Sequence, residues 1–263
     1  MEKEKFKADP YNKNNFLIQE PDVVNIMKSL NINDFKMNDI LIYQQAFVHK
    51  SYCKLKDYKE YKNDKNYLEL QNQSYEIIEF LGDAILEKSV CSYLYKRFSL
   101  IHNQGEGFLT KLKIRIVCGE NLHVLSKKIG FNKYLIISNH IENNCDGRNN
   151  EKMLEDIFES FIGALYLDQG NDIVDQFIIQ MIEKYIDFTD FLIRDNNYKD
   201  QIIRYIQQNH NSYPKYEHEK RNNKYYCKLY LNNELICESV GISKKKSEQN
   251  VSKKGLIHFN VLT

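Results

Sequence analysis

The chain has little of what marks several large classes of protein. Its 263 residues include only 10 glycines and 3 prolines, which excludes collagen-like and proline-rich sequences. No run of about 18 apolar residues is present, so no membrane span is expected. The first residues, Met1-Glu-Lys-Glu-Lys-Phe-Lys7, lack the apolar stretch of a secretory signal. The six cysteines, at 53, 91, 118, 145, 227 and 237, include no C-x-x-C pair, and the seven histidines include no H-x-x-x-H. A zinc knot or disulfide scaffold is therefore not expected. The pattern is that of reduced thiols in an intracellular protein, the cytoplasm being the first expectation and the nucleus also compatible. There is no G-x-x-x-x-G-K phosphate loop and no G-x-S-x-G elbow, and Glu120-x-x-His123 is a single E-x-x-H where a di-iron bundle needs two. No small-molecule cofactor is implied.

What is present can build a core: 42% of residues are hydrophobic and 28% charged. The net charge of +1 hides an asymmetry. From Tyr198 to Thr263 there are 12 basic and 6 acidic residues, a net of +6, while residues 1–197 hold 25 basic and 30 acidic, a net of −5. A small basic module behind a larger acidic one points to a polyanion partner.

The order of elements agrees. Residues 1–20 are Lys/Asn-rich and aperiodic, and read as a flexible arm. Residues 21–188 read as one helical domain. Asp39–Val48 carries a helix, Cys53–Gln73 is a polar connector, and Ser74, a candidate cap, opens a long helix to about Phe98. Leu109 to about Ile129 reads as one helix ended by Gly130, and Asn139–Asn150 as a polar loop. Glu151–Leu167 and Asp172–Ile186 are helical by their apolar spacing. Residues 189–197 form a linker. In 198–263 the order is helix, three strands, helix, with Asn232-Asn233 a hairpin signal and Ser243 a plausible N-cap. The fold class is therefore mainly α, with a small α-β-β-β-α module at the end.

The informative residues are acidic. Glu76, Glu79 and Asp83 lie three and four apart, and so share one stripe of a helix, among Ile77, Ile78, Phe80, Leu81, Ala84, Ile85 and Leu86. Asp156 and Glu159 repeat the theme among Met153, Leu154, Ile157, Phe158, Phe161 and Ile162. Stacked like charges cost an isolated helix about 0.2–0.5 kcal/mol per pair. Two readings account for them. In one, both helices are amphipathic and their acids face water. In the other, the two acid faces converge on hard cations such as Mg²⁺, which takes oxygen ligands and can activate a water beside a phosphodiester. His49 reads as a helix-end or packing residue rather than a base.

Tyr75-Glu-Ile-Ile-Glu-Phe-Leu-Gly-Asp-Ala-Ile-Leu86 resembles the signature of the ribonuclease III family. Gln45–Tyr52, Gly107–Val117 and Asn150–Asp168 resemble its other segments in the same order. The C-terminal module resembles a double-stranded RNA-binding domain, with Gly241–Lys253 similar to the lysine-bearing start of that domain's last helix. Together these cover roughly residues 25–258. The resemblance implies an all-helical endonuclease domain that works as a homodimer on double-stranded RNA and leaves 5′-phosphates and short 3′ overhangs. It implies that Glu79, Asp83, Asp156 and Glu159 hold Mg²⁺, with Mn²⁺ able to substitute, and that Asp83 and Glu159 matter most for catalysis. Glu76 matches an acidic family position outside that quartet.

The tail departs from the pattern. Ile203 and Arg204 stand where the family often has a Gln and an acid, and Glu219–Lys224, read as the loop between the first two strands, is short and lacks the usual Gly-Pro-x-His. Arg221 and Lys224 are candidate replacements for RNA contact. Lys244, Lys245 and Lys246 match or adjoin the phosphate-contact positions, and Lys253 lies further along the same helix. Duplex RNA is read by shape, phosphate and 2′-hydroxyl, and a helix start with three lysines suits phosphate. A catalytically silent double-stranded RNA-binding protein, sequestering RNA or acting as a scaffold, is the alternative. It gives no reason to keep four carboxylates in apolar helices.

Overall fold

A computed structural model describes residues 9–188 and 197–262. Contacts divide the chain into two units, Met1–Asp187 and Phe188–Thr263. The expected linker over 189–197 lies, except for Asn197, outside the described residues. So do residues 1–8 of the expected arm.

The first unit is helical: α1 (Glu20–Ser29), α2 (Ile40–Gln45), α3 (Glu76–Leu94), α4 (Leu100–His102), α5 (Glu106–Ile116), α6 (Gly119–Lys128), α7 (Asn139–Asn144), α8 (Glu151–Gln169) and α9 (Asn171–Tyr185). A π turn, Tyr95–Ser99, joins α3 to α4. α8 is the central helix. Its Leu154 and every residue from Asp156 to Leu165 are buried, packed by α3, α6 and α9. An aromatic cluster fills its far side. Phe161 lies between Phe131, at 4.7 Å between ring centroids, and Phe177, at 5.3 Å, with Phe47 and Tyr43 beyond.

α3 and α8 meet backbone to backbone. A Cβ on Gly82 would lie 1.8 Å from the carbonyl oxygen of Glu159, and one on Gly163 would lie 2.3 Å from that of Ile78. Only hydrogen fits at either position, so these two glycines set how closely the acid-bearing helices pack.

Several sequence expectations need correction. Residues 9–19 are no loose arm. Asn12 and Asn15 are buried, and both side-chain amides donate to the carbonyl of Ile137, at 3.1 and 2.8 Å. Arg148 fastens the same segment, donating to Asn14 O at 3.1 Å and Asn15 Oδ1 at 3.0 Å while pairing with Glu142 at 3.1 Å. Asparagine amides here do the work of backbone groups, which an apolar-periodicity reading does not register. Ser74 does not cap α3: the N-cap is Tyr75, and the Ser74 hydroxyl donates to the Glu76 carboxylate at 3.2 Å. The single helix expected over 109–129 is two, α5 and α6, broken at Val117–Cys118, where Cys118 is extended. The polar loop 139–150 contains α7 and a 3-10 turn, Gly147–Asn149.

The connector 53–73 is closed at a neck. Lys54 N donates to Gln71 O at 2.9 Å, Gln71 N donates to Tyr52 O at 3.0 Å, and the buried Tyr52 hydroxyl donates to Leu68 O at 2.6 Å. Both ends therefore sit beside the start of α3.

The second unit runs α10 (Tyr198–His210), β1 (Lys215–Arg221), β2 (Lys224–Leu231), β3 (Glu234–Gly241) and α11 (Lys244–His258). The sheet is antiparallel in the order β1-β2-β3. Cys227, Leu229 and Leu231 alternate inward from β2 onto Ile202, Ile206, Val251 and Leu256 of the two helices. Both hairpins turn on two asparagines with positive φ, Asn222-Asn223 and Asn232-Asn233. That is the turn whose twist suits two-residue hairpins. Across the described residues, asparagine supplies nine of the ten non-glycine residues with positive φ, and Asp146 the tenth.

Candidate metal centre and nucleic-acid interface

The acids of α3 and α8 meet near the glycine contact. One carboxylate oxygen from each of Glu79, Asp156 and Glu159 lies within 4.8 Å of the other two. Asp156 and Glu159 are 9% and 6% exposed. The amphipathic reading therefore fails for α8, because that helix is enclosed by its neighbours and presents no water-facing side there. Asp83 is exposed and lies outside the group of three, yet its charge acts on Glu159. Glu76 is turned to the surface and bridges Lys50 at 2.9 Å, which holds its carboxyl below the usual range.

The electrostatics leave a deficit of positive charge. At 4.8 Å or less, two carboxylates repel by about 3 kcal/mol or more at an effective dielectric near 20. Burial, with the charges of Asp83 and Glu155 behind it, pushes the Glu159 carboxyl up to about 8. Burial and Asp156 raise that of Glu79. Lys152 answers them most directly, its Nζ 2.8 Å from Asp156 Oδ1 and 3.4 Å from Glu155 Oε2, and the charge of Lys50 also acts on Asp156 and Glu79. Burial pulls the Lys152 pKa down, but Asp156, Glu155 and Glu159 outweigh it and hold the ammonium charged. His49 adds no charge, because burial and the neighbouring Lys50 push its imidazole below the usual range. It packs instead, its Nδ1 accepting from Ser51 N at 3.2 Å and its ring 5.9 Å from that of Tyr75.

Carboxylates in excess of the lysines beside them, every donor a hard oxygen, fit Mg²⁺ or Mn²⁺ and do not fit a soft metal. Sequence reasoning missed three members of this neighbourhood. Lys152 and Glu155 were findable, since Lys152 stands four residues before Asp156 on one helix. Tyr75, whose hydroxyl donates to Asp156 Oδ2 at 3.0 Å, was not: it reaches across from another helix.

In the second unit the Ser243 hydroxyl caps α11, accepting from Lys246 N at 3.2 Å. Lys244, Lys245 and Lys246 stand exposed in the first turn behind it. Lys253 is also exposed, its ammonium 5.4 Å from the ring centroid of Tyr198. Arg221 and Lys224 do not form a loop. They are the last paired residues of the β1–β2 hairpin, and only Asn222-Asn223 project beyond them. Arg221 is also engaged by Glu219 at 2.5 Å and lies over the Tyr226 ring. Arg204 is paired with Asp200.

Known proteins resemble both units. The family model described as Ribonuclease-III-like matches residues 39–186, and that of the Double-stranded RNA binding motif matches residues 198–258. The Probable ribonuclease 3 of Acanthamoeba polyphaga mimivirus is 33% identical over 266 residues, covering 96% of this chain and 45% of that protein. The chain thus spans less than half the length of this relative. Ribonuclease 3 of Staphylococcus aureus strain Mu3 is 35% identical over 224 residues, covering 83% of this chain and 86% of that protein. Among solved structures, the nuclease domain of Ribonuclase III from Campylobacter jejuni matches at 26% identity with a TM-score of 0.48, over 62% of this chain and 96% of that one.

Proposed function

The chain belongs to the ribonuclease III family, and from that membership we propose that it is a divalent-cation-dependent endoribonuclease that cleaves duplex RNA as a homodimer. That it is an endoribonuclease joined to a double-stranded RNA-binding module follows from the family. The cation, the products and the assembly are our reading.

Glu79, Asp83, Asp156 and Glu159 would hold the cation, Mg²⁺ with Mn²⁺ able to substitute. Two such ions, once bound, would lower the pKa of a bound water and shield the leaving oxygen of a phosphodiester. Hydrolysis breaks the P–O3′ bond, so the phosphate stays on the 5′ end and a hydroxyl is left on the 3′ end. The residues of the chain supply position. α3 and α8 are fixed by backbone contact at Gly82 and Gly163, so the four acids cannot drift apart. Lys244, Lys245 and Lys246 would meet phosphates, bringing the duplex to the cluster without regard to sequence. With the β1–β2 turn cut to two asparagines and Arg221 paired to Glu219, Arg221 and Lys224 are the weaker candidates for RNA contact.

A second copy has a suitable surface on α3. Ile77 and Phe80, one turn apart, are 80% and 82% exposed on the helix that carries the acids. Burying one such side chain contributes about 1.5–3 kcal/mol. Two copies joined there would hold two acid clusters, one for each strand, and an offset between the cuts would leave short 3′ overhangs.

The convergence of Glu79, Asp156 and Glu159 from two helices is the observation that carries the proposal. The test is cleavage of a long labelled RNA duplex with and without Mg²⁺, beside Glu159→Gln. Short products from the unmodified protein, lost without metal and in the variant, are expected. Duplex bound but uncut under every divalent cation would refute the enzyme and leave the silent RNA-binding reading.

A further inference from the structure

We propose that Tyr75 is a positioning residue that fixes how Asp156 presents its carboxylate to a divalent cation; the inference rests on the metal-centre reading above. Tyr75 is the N-cap of α3 and only 2% exposed. Its amide donates to Val48 O at 2.8 Å, and its carbonyl accepts from Glu79 N at 2.9 Å. The phenol therefore has a fixed origin, in the same turn that launches Glu79. From there it donates to Asp156 Oδ2 at 3.0 Å, through the buried space between α3 and α8. An ionised carboxylate is acceptor-only, so this bond has one direction and commits Oδ2.

The other oxygen faces charge: Oδ1 pairs with Lys152 Nζ at 2.8 Å, and a divalent cation would compete with that ammonium for it. The Asp156 carboxylate is thus held with one oxygen tied to the scaffold and one turned to the charged side. Without the phenol it could rotate about its terminal bond or offer both oxygens. Mg²⁺ and similar small ions require near-ideal octahedral geometry, so a ligand free to choose between those modes binds less well. Partners that orient a metal ligand are typically worth 10–100-fold in metal affinity or activity.

The test compares unmodified protein, Tyr75→Phe and Tyr52→Phe by direct Mn²⁺ titration without RNA, using the signal of free Mn²⁺. Phenylalanine keeps the ring and removes one oxygen. Tyr52 is the matched control, equally buried and bonded to Leu68 O away from the acids. We expect Tyr75→Phe to weaken Mn²⁺ binding by 10–100-fold and Tyr52→Phe to leave it unchanged. The Mn²⁺ midpoint for duplex cleavage should move by the same factor as the affinity, with the rate at saturating Mn²⁺ retained. Equal affinity for Tyr75→Phe and the unmodified protein would overturn the inference and leave the metal centre intact. So would an equal loss in Tyr52→Phe, which would mark a general effect of removing a buried hydroxyl. No Mn²⁺ binding by the unmodified protein would overturn the metal centre itself, and this inference with it.

Discussion

Replacing Gly82 by alanine tests whether the spacing of the acid-bearing helices is set by their backbones. The new methyl would lie 1.8 Å from Glu159 O, 2.7 Å from Glu159 C and 2.9 Å from Gly163 N. All three are main-chain atoms of α8, so no side chain can swing away. Non-bonded contact needs about 3.5 Å, so the helices must separate by roughly 1.5 Å or α8 must bend locally. Overpacking of this kind costs about 1–3 kcal/mol, set against the gain of about 1 kcal/mol that alanine brings to a helix interior. The larger effect falls on chemistry, because Glu159 is the residue displaced, and a misplacement of about 1 Å can cost a factor of about 100 in rate. The assay is thermal melting, Mn²⁺ titration and duplex cleavage, with Gly107→Ala as control; there a Cβ meets nothing within 4 Å. The control should be neutral or slightly stabilising in all three. Gly82→Ala should lower the melting temperature slightly and depress Mn²⁺ binding and cleavage strongly. A Gly82→Ala protein that binds Mn²⁺ and cuts like the unmodified one would refute the reasoning.

Three further outcomes are expected. The Glu159 carboxyl is raised to about 8 in the fold, chiefly by burial, so the fold favours its protonated form. Its stabilising contribution is present below the ordinary carboxylate pKa and fades as pH rises toward about 8. In chelator, the melting temperature should therefore fall between pH 5 and pH 8, and Glu159→Gln should flatten that fall; a melting temperature that rises over this window would contradict it. Replacing Lys244, Lys245 and Lys246 together by alanine should reduce the slope of log affinity against log salt for duplex RNA by about 2–3, and an unchanged slope would remove these lysines from the interface. Phe80→Asp should shift sedimentation from dimer to monomer, and a dimer that survives the charge would place the interface elsewhere.

How far the sequence was legible depended on which physical signal each feature carries. The three- and four-residue spacing of Glu76, Glu79 and Asp83 put them on one stripe, and the polar-to-β change of period after Asn197 gave the order of the tail. Periodicity says which residues share a face, not what covers that face. The enclosure of Asp156 and Glu159 by α3, α6 and α9 was therefore invisible, and so was the outward turn of Glu76 to Lys50. The break at Val117–Cys118 is marked only by the single Gly119 that opens α6, and the apolar spacing running across it reads as continuous helix. Tyr75 and Asp156 are 81 positions apart, and no local pattern joins them. The docked segment 9–19 was hidden for the opposite reason, since its polar residues look like a solvated tail until Ile137 and Arg148 receive them.

The neck at Cys53 and Gln71 bears on how the chain can vary. The residues between these two positions leave and re-enter the domain at one place, tied by backbone hydrogen bonds next to the start of α3. Doubling the length of a flexible loop costs only about 0.6 kcal/mol in closure entropy. The stretch 59–66, outside the Tyr58, Leu68 and Leu70 side chains that pack on Tyr52 and Val48, can therefore be lengthened, shortened or exchanged without moving Tyr75 or the acids that follow it. The neck separates the part of the molecule where length is cheap from the part where a tenth of a nanometre is not, and new surface can be added on one side while the reaction geometry on the other is left alone.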